Sequence, residues 1–452
     1  MVISRRRLVR GLGAGVLGTG ALAACTNGRR GRGRGRATTT APTGAAQEEP
    51  DVPLVLGSIG VSYGRAGAFE KTIAIAVHEA MIDVNERWKG LFGHEVEMTE
   101  RHVMEEVGED LTDVITSMAD SGVTAVITSI DEDALIAAIP AFVEAGIAVI
   151  DVFTSGMSVR AAEVQSSGML VRLAPNDRAI AALYAEEAWA GSSDKGGDPG
   201  TVAYVSEDTA QGQSLLHELE QLLNPEGGKI VSKHFYPFGK IGTIGKIVEK
   251  VLESPPALLV VNGGPEAGRL LSELYKATLD EGQRPTVEFP TRLSPAATVD
   301  YADEQLAPEC LTRATGFEPG GELTVEHVNM MLNVDPGLLD TGYAYSQQAY
   351  DAVILAGLAA QNALSVQGTD IASSIRQVLT GTEECTDYGD CRSTLRVALE
   401  AGDRATISFV GRMGALELGD GPDPRTGDLR TYSWTEANEI ETGEATSFEV
   451  DA

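Results

Sequence analysis

His78-Glu79 and His217-Glu218 each begin like HExxH, the helical pattern in which two histidines one turn apart hold zinc and the glutamate serves as a base. The second histidine is missing from both, because Ile82 and Gln221 stand at those positions. The other histidines, at 94, 102, 234 and 327, show no metal-ligand spacing, and the cysteines at 25, 310, 385 and 391 do not cluster as zinc or iron–sulfur ligands. No GxSxG elbow, Walker A loop or GxGxxG following a strand occurs. The expectation is a protein with no catalytic residues, no metal and no cofactor. A hydrolytic triad assembled in space rather than in sequence stays open.

Cys25 has chemistry of a different kind. It ends the stretch SRRRLVRGLGAGVLGTGALAAC, residues 4–25, which is too rich in glycine for a good helix and has no polar face. A basic segment, a short apolar segment and small residues before a cut are the parts of an export leader. Leu22-Ala23-Ala24-Cys25 resembles a lipobox, in which the cysteine sulfur is lipidated and becomes the new N-terminus. Ser4 to Arg10 resembles a twin-arginine export motif. Residues 1–25 are therefore read as a lipoprotein signal peptide, and Cys25 as the lipidation site that anchors an extracytoplasmic protein to the cell membrane. Residues 26–50, an Arg-Gly repeat followed by Thr, Ala and Pro, have no apolar period and read as a flexible tether.

The whole chain carries a net charge of -31, yet its first 36 residues hold nine arginines and no acid. The rest sets 26 basic residues against 66 acidic ones. A surface that acidic repels nucleic acid, which is excluded as a partner. After Cys25, three cysteines remain. Cys385 and Cys391 flank the short TDYGD segment, and export permits a disulfide between them. Cys310 is expected as a small buried apolar residue.

From Pro53 onward strands and helices alternate. PLVLGSIGV is an unbroken apolar strand, and Phe69, Ile73, Ala76, Val77, Ala80, Met81, Val84 and Trp88 recur at helical spacing behind it. A helix–glycine–strand unit then repeats, with Gly122 and Gly146 at matching helix ends. Apolar runs without alternation indicate parallel strands covered on both faces. Further helices are expected near 211–223 and 242–253, and a hairpin around the turn-rich GDGPDPRTGD. The fold class is α/β, doubly wound, in at least two sheets.

Several segments together resemble the type I periplasmic solute-binding proteins of the branched-chain amino-acid group. They are LGSIGVSYGRAGAF with its long following helix, RLAPND, AYVSEDTAQGQSL and QQAYDAVILAGLAAQNAL. The resemblance implies two Rossmann-like lobes joined by three crossover segments, near 174, 311 and 405, with a ligand cleft between them. Lobe one would comprise 51–174 plus 312–405, and lobe two 175–311 plus 406–440. It further implies a monomer that captures a small polar solute, an amino acid or an amide-like molecule, and passes it to an ABC transporter permease. The alternatives are an extracytoplasmic sensing domain with a signalling partner, and a secreted hydrolase.

Ligand-binding candidates come from loops after strands. In the first lobe these are Ser62, Tyr63 and Phe69, then Ser129 and Asp131, then Thr154 and Ser155. Phe69 matches a family aromatic that packs on the ligand side chain, and Thr154 and Ser155 lie close to the hydroxyl that grips the amino acid. In the second lobe they are Gln211 and the turn from Asn262 to Glu266. The chain departs from the family where TSIDEDA puts Asp131, Glu132 and Asp133 beside the expected carboxylate site, where Gln211 replaces a tyrosine, and where Arg292 lies near an expected acid. Either these acids cap the helix that starts at Asp131, or the site has moved toward a neutral or cationic solute.

Overall fold

The computed structural model describes residues 49–191, 195–293, 306–401, 403 and 405–450. The leader, Cys25 and nearly all of the tether lie outside the described residues.

Six parallel strands build the first sheet: β1 Val55–Val61, β2 Glu97–Met98, β3 His102–Met104, β4 Ala125–Ser129, β5 Ala148–Asp151 and β6 Leu170–Arg172. β2 and β3 pair in turn with the two halves of β1, and the order across the sheet is β2/β3, β1, β4, β5, β6. In the second sheet β7 Thr201–Glu207, β8 Lys229–Tyr236, β9 Leu258–Asn262, β10 Thr291–Leu293 and β11 Ala314–Pro319 run parallel in the order β8, β7, β9, β10, β11. Every residue of β4, β7 and β9 is buried, as unbroken apolar runs require of strands covered by helices on both faces. Gly122 and Gly146 end their helices at φ values of 83° and 67°, where a side chain would be strained.

The remaining strands are β12 Glu383–Cys385 and β13 Ile407–Phe409, a small parallel pair, and β14 Glu417–Leu418, β15 Pro424–Trp434 and β16 Ile440–Glu449. β14 and β15 form the expected hairpin, β15 joins β11 antiparallel, and β16 extends the sheet by a second hairpin that the sequence reading did not foresee. The structure pairs Cys385 with Cys391 and leaves Cys310 buried and free. The helix Ser346–Ala363 is buried from Ser346 through Gln361 and forms the spine of the first lobe.

Two boundaries move. β11 pairs with β10 and β15, so the chain stays with the second sheet until Pro319 instead of leaving it at 311. β13 still pairs with β12 on the first-lobe side, so the last crossing lies between Phe409 and Glu417, not at 405. Buried ion pairs tie these crossings together. Arg172, at the end of β6, sets its Nε 2.6 Å from Asp423 Oδ1, and Arg430 on β15 sets its Nε 2.8 Å from Glu318 Oε1 on β11.

Candidate functional site

The strand order reverses between β1 and β4 in the first sheet, and between β7 and β9 in the second. Loops leaving the carboxyl ends of such neighbours diverge, and that crevice is where open α/β sheets accept ligands. Here the crevices of the two sheets meet. The Tyr63 ring stands edge-on to Phe238 with centroids 5.6 Å apart. Ala210 N donates to Asp133 Oδ2 at 3.0 Å, and Met157 N donates to Ser214 Oγ at 2.7 Å. Between these contacts remains a cavity of about 30 Å³, lined by Arg65, Asp131, Glu132, Phe153, Thr154, Glu207, Gln211 and Phe238 among others.

Arg65 is the residue that the sequence reading missed. It sits in the single turn Gly64–Gly67 just after β1 and is 7 % exposed. Gly64 has φ +60°, and a Cβ there would lie 2.2 Å from the Phe238 ring, so glycine alone permits this loop to approach the other lobe. The Arg65 guanidinium carbon is 4.5 Å from the Phe153 centroid, and Nη1 is 3.4 Å from the Tyr345 hydroxyl. Phe69, Phe153 and Tyr345 pack on one another behind it, with centroids 4.8–6.1 Å apart.

The acids are spoken for in different ways. Asp131 caps its helix by accepting from Ala134 N at 2.9 Å, and it takes the Tyr63 hydroxyl at 3.1 Å. Burial raises its carboxyl above the ordinary range. Glu132 is 3 % exposed, and Val159 N reaches its Oε1 at 3.3 Å. Burial pushes it up to about 8. Glu207, in the second lobe, accepts from Gly239 N at 2.8 Å. Burial, and then repulsion from Glu266, push it up to about 7.

Of the expected site residues, Tyr63, Asp131, Thr154 and Gln211 come together around the cavity. Phe69 stands one layer behind. Thr154 donates to Asp151 Oδ1 at 2.7 Å, while Gln211 donates to Asp177 Oδ1 at 3.0 Å and accepts from Asn262 at 2.8 Å. Asn262 thus orients Gln211 instead of lining the cavity. Ser155 is buried, and its backbone carbonyl accepts from Asp177 N at 2.7 Å. Three candidates are placed elsewhere. Ser62 is exposed and gives its hydroxyl to the Met104 carbonyl at 3.2 Å. Ser129 accepts from Arg101 at 2.6 Å, and that arginine also holds Glu70. Glu266 accepts from Tyr236 at 2.7 Å and lines a larger groove outside the cleft. Arg292 pairs with Glu187 and stacks on Phe317, also away from the cavity.

One serine–histidine contact invites a hydrolytic reading. His327 Nε2 lies 2.7 Å from Ser346 Oγ. Its Nδ1 lies 3.1 Å from an Arg412 nitrogen, which can only donate, so Nε2 carries the proton and points it at the serine. Burial and Arg412 lower this histidine to about 3, and its side chain is wholly buried. It cannot accept a serine proton, and no substrate reaches it. Among the described residues no group of three or more His, Cys, Asp or Glu is placed to hold a metal ion.

No protein-family model matches the sequence, and no curated protein sequence does. Solved structures do. The branched-chain amino-acid transporter substrate-binding protein LivJ from Streptococcus pneumoniae, in complex with isoleucine, is 15% identical, with a TM-score of 0.63 over 88% of this chain and 100% of that one. The leucine-binding protein LivK from Thermotoga maritima is 13% identical, with a TM-score of 0.64 over 87% and 98%. An ABC-transporter solute-binding protein from R. palustris, in complex with 4-hydroxybenzoate, is 14% identical, with a TM-score of 0.64 over 88% and 98%. The chain has the type I periplasmic-binding-protein fold, two α/β lobes around a cleft.

Proposed function

We propose that this protein is an extracytoplasmic solute-binding lipoprotein of an ABC importer, which captures a small polar solute, an amino acid or amide-like molecule, by closing its lobes and releases it unchanged to a permease. The observation that carries this reading is the meeting of two switch-point crevices, with hydrogen-bonding and aromatic side chains buried where they meet. Proteins of the same fold bind isoleucine and 4-hydroxybenzoate, as stated for two of the structures above. A solute that prefers the closed arrangement shifts the population toward it by no more than that preference. The test is a thermal-shift panel of amino acids, amides and aromatic acids, with mass spectrometry of the solute recovered afterwards. The reading expects one class to raise the melting temperature and to return intact; a converted product would make the protein an enzyme.

Anchoring belongs to the same proposal. Lipidated Cys25 would hold the mature chain at the membrane, with two or more acyl chains, since one alone binds marginally. Cys25→Ala should move the protein from the membrane fraction to the soluble one. Unchanged fractionation would remove the lipoprotein part of the reading.

A further inference from the structure

We propose that the cleft selects a solute bearing a planar organic cation, a guanidinium or amidinium group, and that the Arg65 guanidinium fills that group's place while no solute is bound. The inference rests on the solute-capture reading and names its substrate class.

Three observations carry it. First, Arg65 is where the lobes meet: its guanidinium lies on the Phe153 face beside the Tyr345 hydroxyl, and its backbone touches the position of Gly264 in the other lobe. With its side chain in place the cavity that remains in this lobe arrangement is only about 30 Å³, so a solute taken up against Phe153 here must displace it. Second, the same cavity wall holds an aromatic face, under Arg65, and the buried Glu132 carboxyl. Glu132 Oε2 has no hydrogen-bond partner, and it occupies the space that a Cβ on residue 156 would need, 1.5 Å away, which Gly156 leaves open. Third, Arg65 is the one base among the described residues lining this cavity, against Asp131, Glu132 and Glu207. Arg172 stays near Glu132 in either case, but a displacing solute without positive charge takes the cavity's own base away from these carboxyls and puts none back, whereas a planar cation puts one back, stacks on Phe153 and presents a flat edge of N–H donors to carboxyl oxygens. A carboxylate provides none of these.

The test is calorimetric titration of the full mature chain with benzamidine, benzamide and benzoate, which share a ring and differ in charge, and with agmatine and leucine. At least one of the two cations should bind saturably, benzamide at least about tenfold more weakly, and benzoate not at all. Arg65→Ala removes the internal competitor and should tighten cation binding by about tenfold or more. Arg65→Gln serves the same purpose if the alanine variant melts early. Glu132→Gln should weaken cation binding. Benzoate or leucine binding without a cation, or loss of all binding in both Arg65 variants, overturns the inference and leaves solute capture standing. Silence from every probe, with no shift across the wider solute panel, removes solute capture itself and this inference with it.

Discussion

Two regions of the molecule bury arginines, and they use them differently. At the crossings Arg172 and Arg430 meet Asp423 and Glu318 at hydrogen-bond distance, and each is almost wholly excluded from solvent. In the cleft Arg65 rests on the face of Phe153 and against a phenol, at the end of a glycine-bracketed turn. A buried charge pair is costly to break, because the survivor is left uncompensated. A guanidinium stacked on a ring occupies a face that a ligand of the same shape can also stack on. Removing one partner at a crossing should therefore cost more than removing Arg65 from its ring.

The contrast is broken most directly at the crossings. Arg172→Met should cost about 3 kcal/mol in denaturant unfolding, because Asp423 stays buried with only the more distant Arg160, 3.8 Å away, to pair with. A loss no larger than that of Arg65→Ala would erase the distinction between the regions.

Acidity sharpens it next. Burial holds Glu132 at about 8, Glu207 at about 7 and Asp351 at about 7, far above their unfolded values near 4. Between those limits the folded state binds more protons than the unfolded one, so stability falls as pH rises toward the folded values. His327, lowered to about 3, works in the opposite sense, but only below its unfolded value of about 6.5. From pH 6.5 to pH 8 the acids act alone, and thermal unfolding should record a loss of up to about 3 kcal/mol. Unchanged or rising stability across that interval would mean that these carboxyls are ionised in the fold.

The disulfide gives a smaller effect. Cys385 and Cys391 are six residues apart, and opening so short a loop should cost roughly 2 kcal/mol in the chain-entropy view, read by unfolding with and without reductant. Arg65→Ala comes last, at about 1 kcal/mol of stability, while its effect on binding is the large one.

The alternation of strands and helices was legible because buried parallel strands are written as unbroken apolar runs and helix ends as glycines, as at Val126-Ile127 and Gly146. β11 was not legible: ATGFEP is short and holds Gly316 and Pro319, so it reads as a crossing, and only its pairing with β10 and β15 makes it a strand. β16 escaped because an exposed edge strand needs no apolar face. Within the site, Asp131 and Gln211 follow from their place after a strand, whereas Ser62 and Ser129, equally well placed in sequence, bond to Met104 and Arg101 away from the cavity. Arg65 was invisible for a different reason. An arginine between glycines reads as a solvated turn, and what buries it includes Tyr345, 280 positions away. The cap explanation for the three acids holds for Asp131 alone; Glu132 is buried at the cavity, and Asp133 accepts a hydrogen bond from the Ala210 N–H of the other lobe.

If the lobes close on a solute and release it unchanged, binding compacts the molecule and leaves the mass of the solute as it was. Small-angle X-ray scattering of the mature chain, with and without whichever solute raises its melting temperature, tests this most directly. The solute-free chain should be more open on average than the arrangement described here, so its radius of gyration should fall at saturation, with solute recovered intact by mass spectrometry. A radius that stays constant while the solute binds, or a recovered product, would contradict it.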